Sequence, residues 1–157
     1  MKAGELCIRD VVTAELDESV VEIARRMAEY HVGDVIVVDG RADGQPRPIG
    51  ILTDRDLVVK VLARAERDPA TTKVADVLPR ELVTANEEED VEVIVEKMRL
   101  HGIRRIPIVD LQGGLQGVLS LDDIVGWIRN QLQAATRLLE KQGELFYGGA
   151  GTSGKRA

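Results

Sequence analysis

Aromatic residues are scarce, with one Trp, two Tyr and one Phe making up 3% of 157 residues. So few rings offer no platform for stacking single-stranded bases or sugars, and aliphatic side chains must build the core. Cys7 is the one cysteine, which excludes an internal disulfide, and one thiol with two scattered histidines, His31 and His101, cannot make a zinc site of the usual kind. No apolar run approaches the roughly eighteen residues of a spanning helix, and the opening MKAGELCIRD lacks the apolar stretch of a signal peptide. No membrane insertion is expected, and the location is expected to be cytoplasmic. Basic residues are outnumbered 21 to 27, and a net charge of −6 has the wrong sign for wrapping a phosphate backbone, so no nucleic-acid partner is expected. A local anion pocket stays open.

What the chain does have is a duplication. Val12 to Asp39 align with Val83 to Asp110, with identities at Val12/Val83, Thr13/Thr84, Ala14/Ala85, Glu18/Glu89, Val20/Val91, Ile23/Ile94, Met27/Met98, Val38/Val109 and Asp39/Asp110. After a loop with extra residues in the first copy, GILTDRDL from Gly50 to Leu57 falls on GVLSLDDI from Gly117 to Ile124. Each copy reads as strand, helix, strand, loop, strand, helix. VVTA and LVTA are short apolar strands, and VIVVD and IPIVD are β-branched runs that form hairpin-like pairs with PIGILT and LQGVLS. Ser19 with Glu22 has capping-box spacing, and Asp90 is the matching cap. The helices that follow turn Val20, Ile23, Ala24 and Met27, and Val91, Ile94, Val95 and Met98, inward. Each copy is too small to bury its apolar face well alone, so the two are expected to pack about a pseudo-twofold axis. The segments are 1–65 and 79–130 for the repeats, 66–78 for a linker and lead-in, 131–145 for an extended helix and 146–157 for a flexible tail.

The motif shared by the copies suggests chemistry. Where a strand ends at Thr53 and a helix begins, backbone N–H groups point outward and favour an anion. The hydroxyl of Thr53 or Ser120 suits a phosphate oxygen, and the carboxylate of Asp56 or Asp123, one turn on, suits vicinal ribose hydroxyls. Helix capping is the alternative for both pairs.

Two copies of V-T-A, apolar helix, V-V-D and G-[IV]-L-[TS]-x-x-D-[IL] resemble a tandem pair of CBS domains over roughly residues 6 to 130. The resemblance implies an α/β (α+β) fold of two β-α-β-β-α repeats packed through their sheets, and a regulatory module with adenosine ligands in the clefts between repeats. Those ligands are AMP, ADP or ATP foremost, with NAD and S-adenosylmethionine also in the class. It also implies that the backbone around Thr13–Ala14 and Thr84–Ala85 and the strand mouths Val35–Ile36 and Ile106–Pro107 enclose the base. Thr53 and Ser120 would then meet phosphate, and Asp56 and Asp123 the ribose.

The copies differ at the strand mouths. Arg104, Arg105, Ile106 and Pro107 of the second copy stand where the first has Gly33, Asp34, Val35 and Ile36. Arginines there can hold a phosphate bidentately, or be solvated or bridged to an acid, while Asp34 repels a phosphate unless it turns away or meets a cation. The first copy offers Arg55 instead. The second cleft is therefore expected to be the better equipped.

GAGTSGKR, from Gly149 to Arg156, nearly spells a phosphate-binding loop, but Arg156 stands where a hydroxyl is required, so a Gly/Ser tail is expected instead. No activated nucleophile, metal cluster or intact cofactor fingerprint is present, so no catalytic residue, catalytic cofactor or metal site is expected. The alternative to ligand sensing is a structural dimerisation module without a ligand. Beyond Asp123, Ile124, Ile128, Leu132, Ala135, Leu138 and Leu139 recur at helical steps. That extra helix predicts a homodimer, with packing back on its own repeat as the alternative, and a regulatory module of this kind is expected to act on a separate effector protein.

Overall fold

A computed structural model describes residues 1–40, 45–79 and 81–147. The near-match to a phosphate-binding loop, and the tail from residue 148 on, lie outside the described residues. The chain divides into two compact units, Met1–Leu121 and a second beginning at Asp122.

The first unit holds both repeats. The first copy contributes β1 (Thr13–Ala14), α2 (Val20–Tyr30), β2 (Asp34–Asp39), β3 (Arg47–Thr53) and α3 (Asp54–Leu57), and the second β4 (Ala85–Asn86), α5 (Val91–His101), β5 (Arg105–Val109) and β6 (Leu115–Ser120). Two one-turn helices, α1 (Ala3–Leu6) and α4 (Val74–Val77), precede the respective repeats. Each repeat forms a three-stranded sheet, β1-β2-β3 or β4-β5-β6, whose first pair is parallel and second antiparallel. Even the irregularities repeat, since the register shifts at Val37/Val38 and at the equivalent Ile108/Val109.

The helix start in the first copy forms as its spacing predicts. Glu22 N–H donates to Ser19 Oγ and Ser19 N–H to Glu22 Oε2, at 3.2 and 3.1 Å. Asp90 stands at the equivalent cap position, but its carboxylate caps nothing and pairs with Lys2 at 2.9 Å instead. Val20, Ile23 and Met27 are buried, as are Val91, Ile94 and Met98, whereas Ala24 and Val95 are exposed, so the inward face is narrower than the periodicity suggests.

The lead-in segments are exchanged between repeats. Val74 N–H donates to Glu18 O and Ala75 N–H to Leu16 O, both at 3.0 Å, and Val20 N–H donates to Thr72 O at 3.1 Å. Val74 and Val77 join the core of the first repeat beside Ala14, Ile23, Leu52 and Val61. The N-terminus repeats this pattern on the second repeat. Ala3 N–H donates to Glu89 O, Gly4 N–H to Glu87 O and Val91 N–H to Met1 O, and Ile8 and Val118 exchange two hydrogen bonds at 2.9 Å. The residues read from sequence as a linker are thus, from Thr72, part of the first repeat's core, and residues 1–8 lie on the second.

This exchange explains the glycine in the shared motif. A Cβ on Gly50 would stand 2.5 Å from Leu78 Cδ1, and one on Gly117 would stand 2.7 Å from Ile8 O and 2.8 Å from Cys7 Sγ. Each glycine leaves room for the lead-in segment lying across its strand.

After Leu57 the first copy's second helix widens into a π-helical turn, Val58–Leu62, closed by Ala63 N–H donating to Val58 O. Its counterpart α6 runs from Leu121 to Tyr147, longer than the expected end near residue 145. Among the described residues no helix is long and apolar enough to cross a membrane.

Candidate functional site

A pocket of about 300 Å³ opens where the two repeats meet within the first unit. The first repeat supplies Ile51, Thr53 and Asp56. The second supplies Pro79, Glu81, Leu82, Val83, Ile103, Arg104 and Arg105. The floor is aliphatic, and the polar groups are gathered as two carboxylates, one hydroxyl and two guanidiniums. The cleft is thus built crosswise, with the hydroxyl and carboxylate of one copy facing the strand mouth of the other. Arg105, assigned from sequence to the cleft of Ser120 and Asp123, sits instead with Thr53 and Asp56.

Thr53 and Asp56 are locked together at the β3–α3 turn. Asp56 Oδ2 accepts from Thr53 N–H at 3.0 Å and from its hydroxyl at 2.7 Å, while Asp56 N–H donates to Thr53 Oγ1 at 3.1 Å. Lys60, one turn on, pairs with Asp56 Oδ1 at 2.8 Å. Burial pushes the Asp56 carboxyl up, but Lys60 and Thr53 outweigh it and hold the group below the usual carboxylate range. Asp56 is therefore ionised at neutral pH, aimed by its own cap, and with Oδ2 accepting twice and Oδ1 once it retains one lone pair, on Oδ1, for a further donor.

The turn's N–H groups are consumed locally, contrary to the sequence expectation of an anion-facing helix start. Asp54 N–H donates to Gly33 O at 2.9 Å, Arg55 N–H to Asp54 Oδ1 at 2.7 Å and Asp56 N–H to Thr53 Oγ1. An anion here must rely on the arginines.

Arg105 reaches from β5 to Asp34 on β2 and forms an ion pair with it across the repeats. The two residues are equivalents in the duplication, each opening its strand opposite the motif hydroxyl, Asp34 beside Thr53 and Arg105 beside Ser120. Oδ2 of Asp34 is enclosed and no well-angled hydrogen bond reaches it, so the guanidinium beside it balances its charge. Burial pushes the Asp34 carboxyl above the usual range, Arg105 draws it back in part, and Asp54 adds to the upward push. Asp34 meets a cation, one of the two conditions the sequence set for tolerating it.

The other expected contacts lie elsewhere. Ala14, Val35, Ile36, Ala85, Ile106 and Pro107 are buried within the sheets, Arg55 is exposed, and Thr84 is half-buried at the foot of β4. Thr13 lies in another concavity with Val11, Val12, Val32, Arg26 and Tyr30. Val11, Val12 and Val32 are equivalent to Leu82, Val83 and Ile103. Ser120 ends β6 and is buried, and Asp123 belongs to the first turn of α6.

A matched pair of supports braces β1 and the segment leading into β4. Arg26 donates to Thr13 O at 2.6 Å and pairs with Glu18 at 2.5 Å, and Lys97 donates to Thr84 O at 3.4 Å and pairs with Glu89 at 2.7 Å. Hydrogen bonding to Arg26 holds Glu18 below the usual range, and for Glu89 the bonds from Lys97 and Asn86 N–H overcome the opposing effect of burial. These supports, and Lys60, were not singled out from sequence. The signals were the Glu18/Glu89 identity with its charge-preserving partner Arg26/Lys97, and the four-residue spacing of Asp56 and Lys60.

The pocket presents fixed charge and an aliphatic slot, the chemical character of a small-molecule site. Among the described residues no group of three His, Cys, Asp or Glu side chains is placed to hold a metal ion.

Comparison with known proteins agrees with the duplication. The CBS domain family model matches twice, at residues 3–63 and 74–130. An uncharacterised protein of Methanopyrus kandleri is 38% identical over 125 residues, covering 80% of this chain, and the chain spans 61% of that relative's length. The CBS domain pair of protein MJ0100, solved in complex with 5′-methylthioadenosine and S-adenosyl-L-methionine, shares the fold with a TM-score of 0.70 at 22% identity, over 83% of this chain and 98% of that one. The cytosolic domain of the Mg2+ channel MgtE in complex with ATP gives a TM-score of 0.66 at 26% identity, over 80% of this chain and 48% of that one. The chain, with its two repeats, belongs to the CBS domain family as a tandem pair.

Proposed function

We propose that the pocket between the repeats takes an adenosine-containing ligand and that the chain is a regulatory module signalling its presence to a separate effector protein. One observation carries the reading: Thr53 and Asp56 of the first repeat share a pocket with Arg104, Arg105 and an aliphatic wall from the second. A ribose hydroxyl donates to Asp56, the base lies against Ile51, Val83 and Ile103, and a phosphate, where present, meets the guanidiniums. The ATP bound by the MgtE relative supports this ligand class. The module performs no reaction of its own.

Thermal melts and titrations of the purified chain with adenosine, AMP, ATP and S-adenosylmethionine test the reading. A true ligand at 100 times its Kd adds about 2.7 kcal/mol to stability. Mass spectrometry of small molecules released on denaturation identifies any ligand carried through purification. The second reading, a structural dimerisation module, is favoured by how fully Thr53 and Lys60 satisfy Asp56 without a ligand, and it requires that none of these compounds shift the melt.

The assembly is proposed to be a homodimer, supported by the row of exposed apolar side chains on α6, with Leu132, Leu138 and Leu139 each about two-thirds exposed.

A further inference from the structure

We propose that Asp34 is a built-in competitor for Arg105, so that a ligand phosphate gains the full charge of that guanidinium only by drawing it away from the ion pair that ties β2 to β5. The inference rests on the reading of the pocket as an adenosine site. It starts from what the β3–α3 turn no longer offers. The N–H groups of Asp54, Arg55 and Asp56 all have acceptors within their own neighbourhood, and the Thr53 hydroxyl donates to Asp56. The turn side chains that line the pocket are Thr53 and Asp56, and Asp56 already holds both the Thr53 hydroxyl and Lys60, so the turn offers a phosphate no spare donor. A phosphate in this pocket must therefore be neutralised from the opposite wall, where Arg104 and Arg105 stand.

Arg105 is already engaged. Its partner Asp34 is largely enclosed, with its side chain 15% exposed, and the oxygen that Arg105 faces has no other compensation among the described residues. When a phosphate draws Arg105 away, Asp34 is left as a buried carboxylate near Asp54, a costly arrangement. Phosphate binding is thus coupled to loss of a contact between the repeats, and a ligand without phosphate leaves that contact intact. The consequence is a pocket whose affinity for adenosine is set by its walls and Asp56, and whose preference for phosphate is set by Asp34.

Calorimetric titration of the full chain with adenosine and with AMP tests this in wild type, Asp34→Asn, Arg105→Gln and the double variant. Asp34→Asn should tighten AMP binding about tenfold, the scale of one charge-assisted contact, and change adenosine binding less than about twofold. In the Arg105→Gln background, Asp34→Asn should bring no gain for AMP. The double variant has no unpaired charge at this point and serves if Arg105→Gln alone does not fold. If wild type binds both ligands and Asp34→Asn leaves their ratio unchanged, or if the gain persists without Arg105, the competition is overturned while the adenosine site stands. If wild type binds neither ligand, the site reading falls and this inference falls with it.

Discussion

Thr53 and Asp56 bond to each other three times, through Thr53 N–H, the Thr53 hydroxyl and Asp56 N–H. Capping and ligand binding thus become two uses of one carboxylate. Asp56→Ala should lower stability by about 0.5–2 kcal/mol through loss of the cap. It should also weaken adenosine binding roughly 10- to 150-fold, as expected for losing a charged acceptor worth about 1.5–3 kcal/mol. Thr53→Ser, which keeps the hydroxyl, should do little of either. Melting curves beside titrations decide, and a lowered melt with unchanged affinity would end the ribose assignment.

Gly50→Ala and Gly117→Ala should both destabilise, by about 1–3 kcal/mol as overpacking does, and Gly117→Ala more severely. At Gly50 the obstacle is the Leu78 side chain, which can turn aside. At Gly117 it is the Ile8 carbonyl, fixed by its hydrogen bond to Val118 N–H. Urea unfolding of the two variants gives the comparison, and equal or reversed losses would contradict the exchanged lead-in segments.

Acid should loosen the braces on β1 and on the approach to β4. Glu18 and Glu89 are held below their ordinary values in the folded chain, so their contribution is fully present above the unfolded value near ~4.3 and is lost as pH falls through the lower folded values. Stability measured by urea unfolding should be flat with respect to these groups above about pH 5 and fall steeply below about pH 4. The double variant Glu18→Gln, Glu89→Gln should be less stable at pH 7 and show a shallower acid slope. An unchanged slope would mean that the pairs are not coupled to folding.

Light scattering at micromolar concentration should give the mass of two chains. Leu132→Glu with Leu139→Glu should give one, because each places a charge on the apolar row of α6. A monomeric wild type would remove the proposed dimer.

The repeats were legible because duplication writes the same pattern twice. β-branched runs, the Ser19–Glu22 box and the Gly50 and Gly117 motifs each reinforced their counterparts, and α2, α5 and both hairpins lie where they were expected. The one-turn helices α1 and α4 were not legible, since four residues carry no period and their apolar positions match a neighbour distant in sequence. The crosswise pocket was missed for a related reason. Alignment sets Asp34 and Arg105 side by side as counterparts, which says nothing of whether counterparts touch. Lys60 was hidden by its ordinariness as an exposed-looking lysine on a helix.

Counterparts in a duplicated scaffold touch only where the axis relating the copies passes between them, and Asp34 and Arg105 are such a pair. Joining two first repeats would set carboxylate against carboxylate at that point, and joining two second repeats would set guanidinium against guanidinium. Only a first repeat joined to a second balances the charge. A single inverted charge on the axis thus gives an otherwise self-similar scaffold a partner rule, rejecting like-with-like association by repulsion rather than by shape.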